Sequence, residues 1–437
     1  MVGPKLQDDL FDHLLRFRCY PIGITGDIAK MYHQVALNAE DKNFHRILWR
    51  DIPDRPIDTY RMTRVTYGVA SSCYHSVRSL KKAGKHSCVE ETISRDFYVD
   101  DWLTGADDIP SAKKLLSDVR CQLATKQFPL RKIVSSSAEV MESLPSELRE
   151  NEHEFSAKEH SVKALGIKWL PTDDVFVFKV AHDLKENMTK RSLLSDISKI
   201  FDPLGWLTPI TLPLKLIMQS SWSRGINWDD KLPDDMMETF LRWRTKVHNV
   251  ENFDIPRHVV EDSFELHLFC DASETAYASC IYVRKTKTKL TNPFVAKSRV
   301  APLKPLMIPK FELCAAVLGC KLLDHTRKAL QKIGRNPKEV FGWTDATIGL
   351  CWINETPNIW KTFVHNRVHE VQEVLKPVNW RHVRSKENPA DAATRGLDAI
   401  TLNNSSLWWH GPSWLSELRI PDQPKLTKVG SEKCSYQ

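Results

Sequence analysis

The sequence predicts a mixed α/β or α+β protein made of several domains. Two segments, one before residue 180 and one after residue 258, combine strand-like apolar runs with stretches of helical periodicity. The region between them is helical in pattern and is interrupted at Phe201–Gly205, which contains proline and glycine. A length of 437 residues allows two to three domains, each with its own core.

In the first segment, the apolar run Ile22–Asp27 predicts a strand that ends on an acid. Helical spacing of apolar residues from 111 to 123 follows the start signal Asp107–Pro110 and predicts a helix. The polar stretch 143–161 is typical of a surface connection. We expect further strands at 162–169 and 175–180.

The middle region predicts helices that begin near Lys190 and cover 212–222 and 236–247. The third segment begins with the alternating strand Phe264–Asp271, followed by a strand near 278–283. Helix and strand patterns then alternate to about residue 396, which is typical of an α/β domain.

Composition excludes several classes of protein. Hydrophobic residues make up 42% and charged residues 27%, as in ordinary globular proteins. The net charge of +7 is compatible with a polyanionic partner. The ten cysteines form no Cys-x-x-Cys pair and no cluster at zinc spacing. There is no apolar signal core and no apolar run of about 18 residues, so we expect an intracellular protein without a membrane span.

The acid pair Asp100-Asp101 follows Phe97-Tyr98 and precedes Trp102. This pattern is typical of a hairpin tip that directs two carboxylates to one point, although an ordinary exposed Asp-Asp turn has the same composition. Adjacent carboxylates repel, so they persist mainly beside a divalent metal or a basic partner. If Asp27 lies beside this hairpin, three carboxylates converge, as two-metal phosphoryl transfer requires.

Three motifs of the first segment resemble the palm motifs of retrotransposon reverse transcriptases: Asp27–Gln34, Tyr60–Gly68 and Arg95–Asp101. More narrowly, nearly the whole chain resembles the BEL/Pao group of long-terminal-repeat retrotransposon polyproteins. The resemblance implies an RNA-directed DNA polymerase with a ribonuclease H. The implied domains are a reverse transcriptase palm and thumb-like region with truncated fingers (1–180), a helical connecting region (181–258), a ribonuclease H-like α/β domain (259–400) and a C-terminal tail (401–437).

The resemblance also implies roles for residues of the first segment. Asp27 and Asp100 would be the principal metal ligands, with Asp101 in support. Tyr32 would exclude a ribose 2′-hydroxyl, and Tyr67-Gly68 would pack under the template base and the incoming nucleotide. The stretch Val162–Ile167 resembles the hairpin that holds the primer end.

A second set of acids is Asp271, Glu312, Asp345 and Asp391. Each alone is typical of a helix cap or a surface charge. In the order strand, helix, strand, helix they resemble the catalytic centre of ribonuclease H, in which all four would hold metal. Oxygen-only ligands favour Mg²⁺ or Mn²⁺ over zinc. Candidate contacts to a hybrid, sensed across its minor groove, are basic or polar side chains: Lys297, Arg299, Lys310, Asn366, Arg367, Arg384 and Lys386.

The resemblance implies as partners an RNA template, a DNA primer, an RNA/DNA hybrid, deoxynucleoside triphosphates and other polyprotein segments. The implied location is the cytoplasm, including virus-like particles, or the nucleus. Two other functions stay open: a non-catalytic nucleic-acid-binding remnant and a polyprotein-processing aspartic peptidase. The peptidase is disfavoured because the sequence contains neither Asp-Thr-Gly nor Asp-Ser-Gly.

The sequence departs from the family at several positions. Only 26 residues precede Asp27, so we expect the fingers to be truncated and polymerase activity to be impaired, as in a fragment or decayed copy of a longer polyprotein. Cys73 follows Ser72 where the family commonly has proline. Ala346 stands where serine is usual. All seven acids of the two sets are present.

Overall fold

The computed structural model describes residues 2–149, 162–180, 188–304, 306–417 and 423. Contacts divide the chain into two compact units, residues 1–165 with 169–174 and residues 166–168 with 175–437. The four-part division predicted from the sequence stays a prediction. Most of the predicted surface connection at 143–161 lies outside the described residues.

The first unit is built on a four-stranded antiparallel sheet in the order β4-β5-β1-β6. The strands of the first unit, including two outside this sheet, are β1 (Ile22–Ile28), β2 (Arg46–Trp49), β3 (Asp58–Arg61), β4 (Phe97–Tyr98), β5 (Asp101–Ala106) and β6 (Leu130–Ser135). Its helices are α1 (Leu10–Phe17), α2 (Met31–Gln34), α3 (Ser72–Gly84), α4 (Glu90–Arg95), α5 (Ile109–Ala124) and α6 (Ala138–Glu142). The predicted strand at 22–27 and helix at 111–123 are confirmed as β1 and α5.

Helix α5 shows how local sequence sets an element of this unit. The side chain of Asp108 accepts a hydrogen bond of 2.7 Å from the backbone N–H of Ser111, and Pro110 lies in the first turn. One face of the helix, including Leu116 and Val119, is buried against the sheet core that contains Trp102. Burying such side chains contributes about 1.5–3 kcal/mol each.

Strands β2 and β3 form a separate two-stranded hairpin that is exposed on both faces. Ile47 pairs with Tyr60, so these side chains and Trp49 share one face, whereas Leu48 lies on the other. Leu48 is 70% exposed and Trp49 is 57% exposed. A lone two-stranded hairpin is only marginally stable in water. Its exposed apolar side chains have the composition of an interaction surface.

Two short strands, β7 (Val162–Ala164) and β8 (Ile167–Leu170), lie where the chain passes between units. The strands of the second unit are β9 (Val175–Val177), β10 (Ile255–Pro256), β11 (Phe264–Ala272), β12 (Ala276–Lys285), β13 (Thr291–Val300), β14 (Glu339–Thr344) and β15 (Trp380–His382). Its helices are α7 (Lys190–Lys199), α8 (Thr208–Ser223), α9 (Asp234–Val247), α10 (Ile308–Gln331), α11 (Thr347–Asn354), α12 (Thr362–Val374), α13 (Ala390–Arg395), α14 (Ala399–Asn403) and α15 (Ser406–His410).

Short 3₁₀ helices supplement these elements. They are Asp41–Phe44 and Ser146–Leu148 in the first unit, and His248–Asn252, Pro357–Ile359, Pro377–Asn379, Ser385–Glu387 and Ser413–Leu415 in the second. Among the described residues, no helix is both long and apolar enough to cross a bilayer.

The second unit is built on a five-stranded mixed sheet in the order β13-β12-β11-β14-β15. Strands β13, β12 and β11 are antiparallel neighbours, whereas β14 and β15 are parallel to β11. Cys270 lies opposite Thr344, so the carboxyl ends of β11 and β14 meet at one edge of the sheet. The long helix α10 packs closely on β11, because a Cβ atom at Gly319 would lie 2.8 Å from the Sγ atom of Cys270.

Hydrogen bonds at the break Phe201–Gly205 attach the helical region to the five-stranded sheet. The carboxylate of Asp202 accepts hydrogen bonds from the backbone N–H groups of Trp206 (3.0 Å) and Leu207 (2.7 Å). Trp206 is fully buried and donates from its indole nitrogen to the carbonyl of Phe294, 3.2 Å away. The helical region and the α/β segment therefore form one packed body.

Residues at the beginning of the predicted C-terminal tail also pack on this sheet. Trp408, in α15, is buried and donates to the carbonyl of Trp206 at 3.0 Å. Its own carbonyl accepts from the hydroxyl of Tyr282 at 2.7 Å. Trp408 therefore has a structural role in the core.

Candidate metal centres

Three of the four acids in the second set converge at the edge of the five-stranded sheet. Asp271 lies near the end of β11, Glu312 lies in the first turns of α10, and Asp345 directly follows β14. One carboxylate oxygen from each lies within 4.8 Å of the other two. Within the described part of the chain, no other trio of His, Cys, Asp or Glu ligand atoms is this compact.

Burial makes this trio costly without a cation. Asp271 is 4% exposed and Glu312 is 8% exposed. Burial, then repulsion from Asp271 and Asp345, raises the pKa of Glu312 to about 9. Burial also raises the pKa of Asp271 to about 6, although a hydrogen bond from Thr394 opposes the shift.

The donor set fits a divalent cation. Oε2 of Glu312 and Oδ1 of Asp345 are buried and have no hydrogen-bond partner among the described residues. Buried carboxylate oxygens are normally hydrogen-bonded or bound to metal. Because all the converging ligand atoms are oxygens, the site suits Mg²⁺ or Mn²⁺.

Asp391, the fourth predicted acid, lies beside the trio and outside it. It is in the first turn of α13, and its Oδ1 accepts a hydrogen bond of 2.5 Å from Nε of Arg395. Its charge contributes to the raised pKa of Asp271, which places it close to the site. The guanidinium of Arg395 therefore neutralises the carboxylate that the trio leaves out.

In the first unit, the sheet brings Asp27 and Asp101 together. These residues are direct cross-strand neighbours in β1 and β5, and the backbone N–H of Ile28 donates to the carbonyl of Asp100 at 3.0 Å. Val99, in the turn, has a positive φ of 58°, which lets the hairpin reverse. The predicted hairpin tip at residues 98–101 is confirmed as the turn between β4 and β5.

The charges of this first-unit site also perturb one another. Burial, then repulsion from Asp100 and Asp27, raises the pKa of Asp101 to about 6. Burial and the charge of Asp27 raise the pKa of Asp100. Asp27 has a basic neighbour, since Nε of Arg131 lies 3.4 Å from its Oδ2.

Tyr32 and Tyr67 pack together near this site. Their ring centroids are 4.7 Å apart, and Tyr67 is 62% exposed. Burial raises the pKa of Tyr32 to about 12, with further contributions from Cys73 and Asp100. Gly68 has a positive φ of 85° and faces open space.

Sequence reasoning missed the residues that support the acids. Thr394 and Arg395 follow Asp391 by three and four positions, so helical spacing could have indicated them. Arg131 is 104 residues from Asp27, and no local pattern links the two. Cys73 was noted only as a departure from the family, whereas the structure places it against Tyr32.

Comparison with protein families identifies part of the chain. Residues 189–346 match the model described as Pao retrotransposon-like RNaseH-like domain. The predicted resemblance to Pao-type retrotransposons is confirmed over this segment. The matched Pao segment includes the helical region and three of the four acids, Asp271, Glu312 and Asp345. No curated protein matches the sequence.

Solved structures give the fold of a larger share of the chain. A foamy viral protease-reverse transcriptase in complex with an RNA/DNA hybrid matches with a TM-score of 0.55 and 12% identity, over 88% of this chain and 46% of that one. The same foamy viral protein in complex with double-stranded DNA matches with a TM-score of 0.53 and 14% identity, over 88% of this chain and 72% of that one. This chain thus spans about half of the first of these structures. The predicted mixed reverse transcriptase and ribonuclease H fold is confirmed.

Proposed function

We propose that this chain is a retrotransposon-derived ribonuclease H that cleaves the RNA strand of an RNA/DNA hybrid with divalent cations. The observation that carries the proposal is the compact trio Asp271, Glu312 and Asp345, whose buried oxygens include two without a hydrogen-bond partner among the described residues. The match to a Pao retrotransposon-like RNaseH-like domain supports the same function.

The four acids have distinct parts in this proposal. Asp271, Glu312 and Asp345 would hold Mg²⁺ or Mn²⁺, with Asp391 completing the set. Bound divalent cations supply activation of water and stabilisation of the leaving 3′-oxygen. Glu312 carries a proton at neutral pH while no cation is present, because its pKa is about 9, and this proton leaves when a cation binds.

The hybrid would be held by basic side chains near α10 and α12. Nζ of Lys310 lies 5.5 Å from the ring centroid of Phe363, and Cζ of Arg367 lies 3.5 Å from the same centroid. Lys310 is two residues before Glu312, so this cationic and aromatic cluster flanks the carboxylates. Charges of this kind bind phosphates, and an aromatic ring between them can pack on a sugar or a base.

A labelled RNA/DNA hybrid with Mg²⁺ tests the ribonuclease proposal. The folded chain should cut the RNA strand, and Asp345→Asn should abolish cutting. Asp324→Asn is the matched control, because this acid lies on the exposed side of α10 and pairs with Lys328. Absence of cutting, or cutting unchanged by Asp345→Asn, would contradict the proposal.

We further propose an impaired RNA-directed DNA polymerase in the first unit. Asp27, Asp100 and Asp101 would be its metal ligands, and Tyr32 with Tyr67-Gly68 would contact the deoxynucleoside triphosphate. Support comes from the pairing of Asp27 with Asp101 and from the contact between Tyr32 and Tyr67. The apolar β2–β3 hairpin supports the impairment, because no described residue covers it.

Primer extension on a poly-A template tests the polymerase proposal. This chain should extend a DNA primer poorly. Efficient extension by this chain alone would show that the uncovered hairpin does not limit nucleotide binding.

A non-catalytic nucleic-acid-binding remnant is the second candidate function, favoured by the basic cluster around Phe363. It predicts binding of the hybrid that weakens steeply with salt, through release of counterions, without turnover. Cleavage that depends on Mg²⁺ and on Asp345 would exclude it.

A further inference from the structure

Three side-chain hydrogen bonds join α13 and the residues just before it to the end of β11 and the residue that follows it. Nδ2 of Asn388 donates to the carbonyl of Cys270 at 2.9 Å, and Oγ of Ser273 donates to the carbonyl of Thr394 at 2.9 Å. Oγ1 of Thr394 donates to Oδ2 of Asp271. Asn388 and Thr394 are fully buried.

The hydroxyl of Thr394 has one proton and two possible acceptors. Besides Oδ2 of Asp271, the carbonyl of Asp391 lies 3.0 Å away. A carboxylate is the stronger acceptor, because hydrogen bonds to ionised groups are roughly twice as strong as neutral ones. Ser273 holds the backbone of Thr394 in place, so the hydroxyl stays directed at Asp271.

This bond leaves the two oxygens of Asp271 unequal. Oδ2 is engaged by Thr394, whereas Oδ1 has no hydrogen bond to a described residue. The hydrogen bond weakens Oδ2 as a metal ligand and restrains rotation of the carboxylate. Asp271 is therefore oriented to bind a cation through Oδ1 alone. Mg²⁺ takes single oxygens in octahedral geometry, whereas Ca²⁺ readily accepts both oxygens of a carboxylate and six to eight ligands.

We infer that Thr394 is a positioning residue that restricts Asp271 to a single-oxygen contact and thereby favours Mg²⁺ over Ca²⁺. The inference rests on the proposed metal site. Supporting hydrogen bonds to metal ligands typically change metal affinity about 10–100-fold. Thr394 therefore acts on both affinity and selectivity without contacting the cation.

Calorimetric titration of the full chain with Mg²⁺ and, separately, with Ca²⁺ tests the inference. Thr394→Val keeps the shape of the side chain and removes the hydroxyl, so it should weaken Mg²⁺ binding about tenfold or more. It should also reduce the ratio of the Ca²⁺ to the Mg²⁺ dissociation constant. Thr394→Ser keeps the hydroxyl and should retain both values.

Thr326→Val is the matched control. Thr326 is a fully buried threonine on α10 whose hydroxyl has no hydrogen-bond partner among the described residues. Its replacement should leave Mg²⁺ and Ca²⁺ binding unchanged. If Thr394→Val does not fold by circular dichroism, the smaller Thr394→Ala replaces it in the same titration.

A folded Thr394 variant without the hydroxyl that binds both cations like the unaltered chain would overturn the inference. So would the absence of Mg²⁺ binding by the unaltered chain. Failure of the proposed ribonuclease is distinguishable, because it would leave hybrid uncut while Mg²⁺ binding still depends on Thr394.

Discussion

The two carboxylate sites of this chain differ in how completely the protein surrounds them. Asp271, Glu312 and Asp345 come from a strand, a helix and a strand end, and they converge within 4.8 Å. Asp27, Asp100 and Asp101 come from one strand and one hairpin, on a sheet whose neighbouring hairpin is exposed on both faces. Asp271 and Glu312 are buried, whereas Asp27 keeps 25% of its side chain exposed.

Both sites contain an arginine beside a carboxylate. Arg131 lies 3.4 Å from Asp27, and Arg395 lies 2.5 Å from Asp391. The paired acids are partly exposed, with side-chain exposures of 25% for Asp27 and 35% for Asp391. In the second unit, Asp271 and Glu312 are buried at 4% and 8% and form no ion pair with a described residue.

The largest effect should separate the sites by activity. Glu312→Gln should lower hybrid cleavage by more than about a hundredfold, since loss of a ligand costs more than loss of a supporting partner. Asp101→Asn should change cleavage less than about twofold, because it lies in the other unit. Rates of RNA release from a labelled hybrid measure both. Equal losses would mean that the two sites do not act separately.

Mg²⁺ should protect the two sites unequally. A cation at a hundred times its dissociation constant stabilises the unit that binds it by about 2.7 kcal/mol. Hydrogen exchange measured by mass spectrometry should therefore slow in β11 and α10 more than in β1 and β5. Asp345→Asn should remove the effect in β11 and α10. Equal slowing of hydrogen exchange in both units would contradict the prediction that Mg²⁺ stabilises the second unit more than the first.

Replacing one carboxyl group by a neutral amide should stabilise the buried site more than the other one. Without metal, Glu312 must take up a proton when the chain folds at pH 7, because its pKa is raised to about 9. Glu312→Gln removes this cost and should raise the free energy of unfolding by about 1–2 kcal/mol. Asp101→Asn should raise it by less than about 1 kcal/mol, because its site is less buried. Urea unfolding followed by tryptophan fluorescence measures the difference. A larger gain from Asp101→Asn would reverse the ranking.

The smallest effect concerns an acid of the second unit whose pKa is shifted in the opposite direction. Hydrogen bonds from His267 and Arg284 lower the pKa of Glu265 to about 2, against its burial. Since the folded pKa is depressed, this stabilisation is present above about pH 4.5 and is lost as the pH falls towards 2. Glu265→Gln should cost about 1 kcal/mol at pH 7 and progressively less below pH 4.5.

Urea unfolding at several pH values checks this prediction. Glu261→Gln is the control, because Glu261 and Lys285 form a partly exposed pair at 3.4 Å that should contribute little. A cost of Glu265→Gln that grows on acidification would contradict the assignment of the charged form.

Much of the fold could be predicted from local pattern. The alternation in Phe264–Asp271 predicted β11, and the start signal Asp107–Pro110 predicted α5. The acids were predicted from their order along elements together with a family resemblance, and the trio's convergence follows from the parallel pairing of β11 with β14. The roles of Asp27, Asp100, Tyr32 and Tyr67 stay predictions.

Other features could not be read from local pattern. The motif Phe201–Gly205 was predicted only as a helix break. Asp202 within it accepts a hydrogen bond from the backbone of Trp206, whose indole in turn bonds to β13. Trp408 stands 202 residues from Trp206 and still bonds to it. Contacts of this kind join residues that no periodicity relates.

Local sequence specifies which segments become strands and helices, and which acids end them, because periodicity, caps and turn residues act over a few neighbouring positions. Packing in three dimensions sets which acids meet. It brought Asp271, Glu312 and Asp345 into one compact trio, paired Asp391 with Arg395, and placed Thr394 against Asp271. The physical reason is that burial and charge repulsion depend on distances in space, which sheet register and helix packing create.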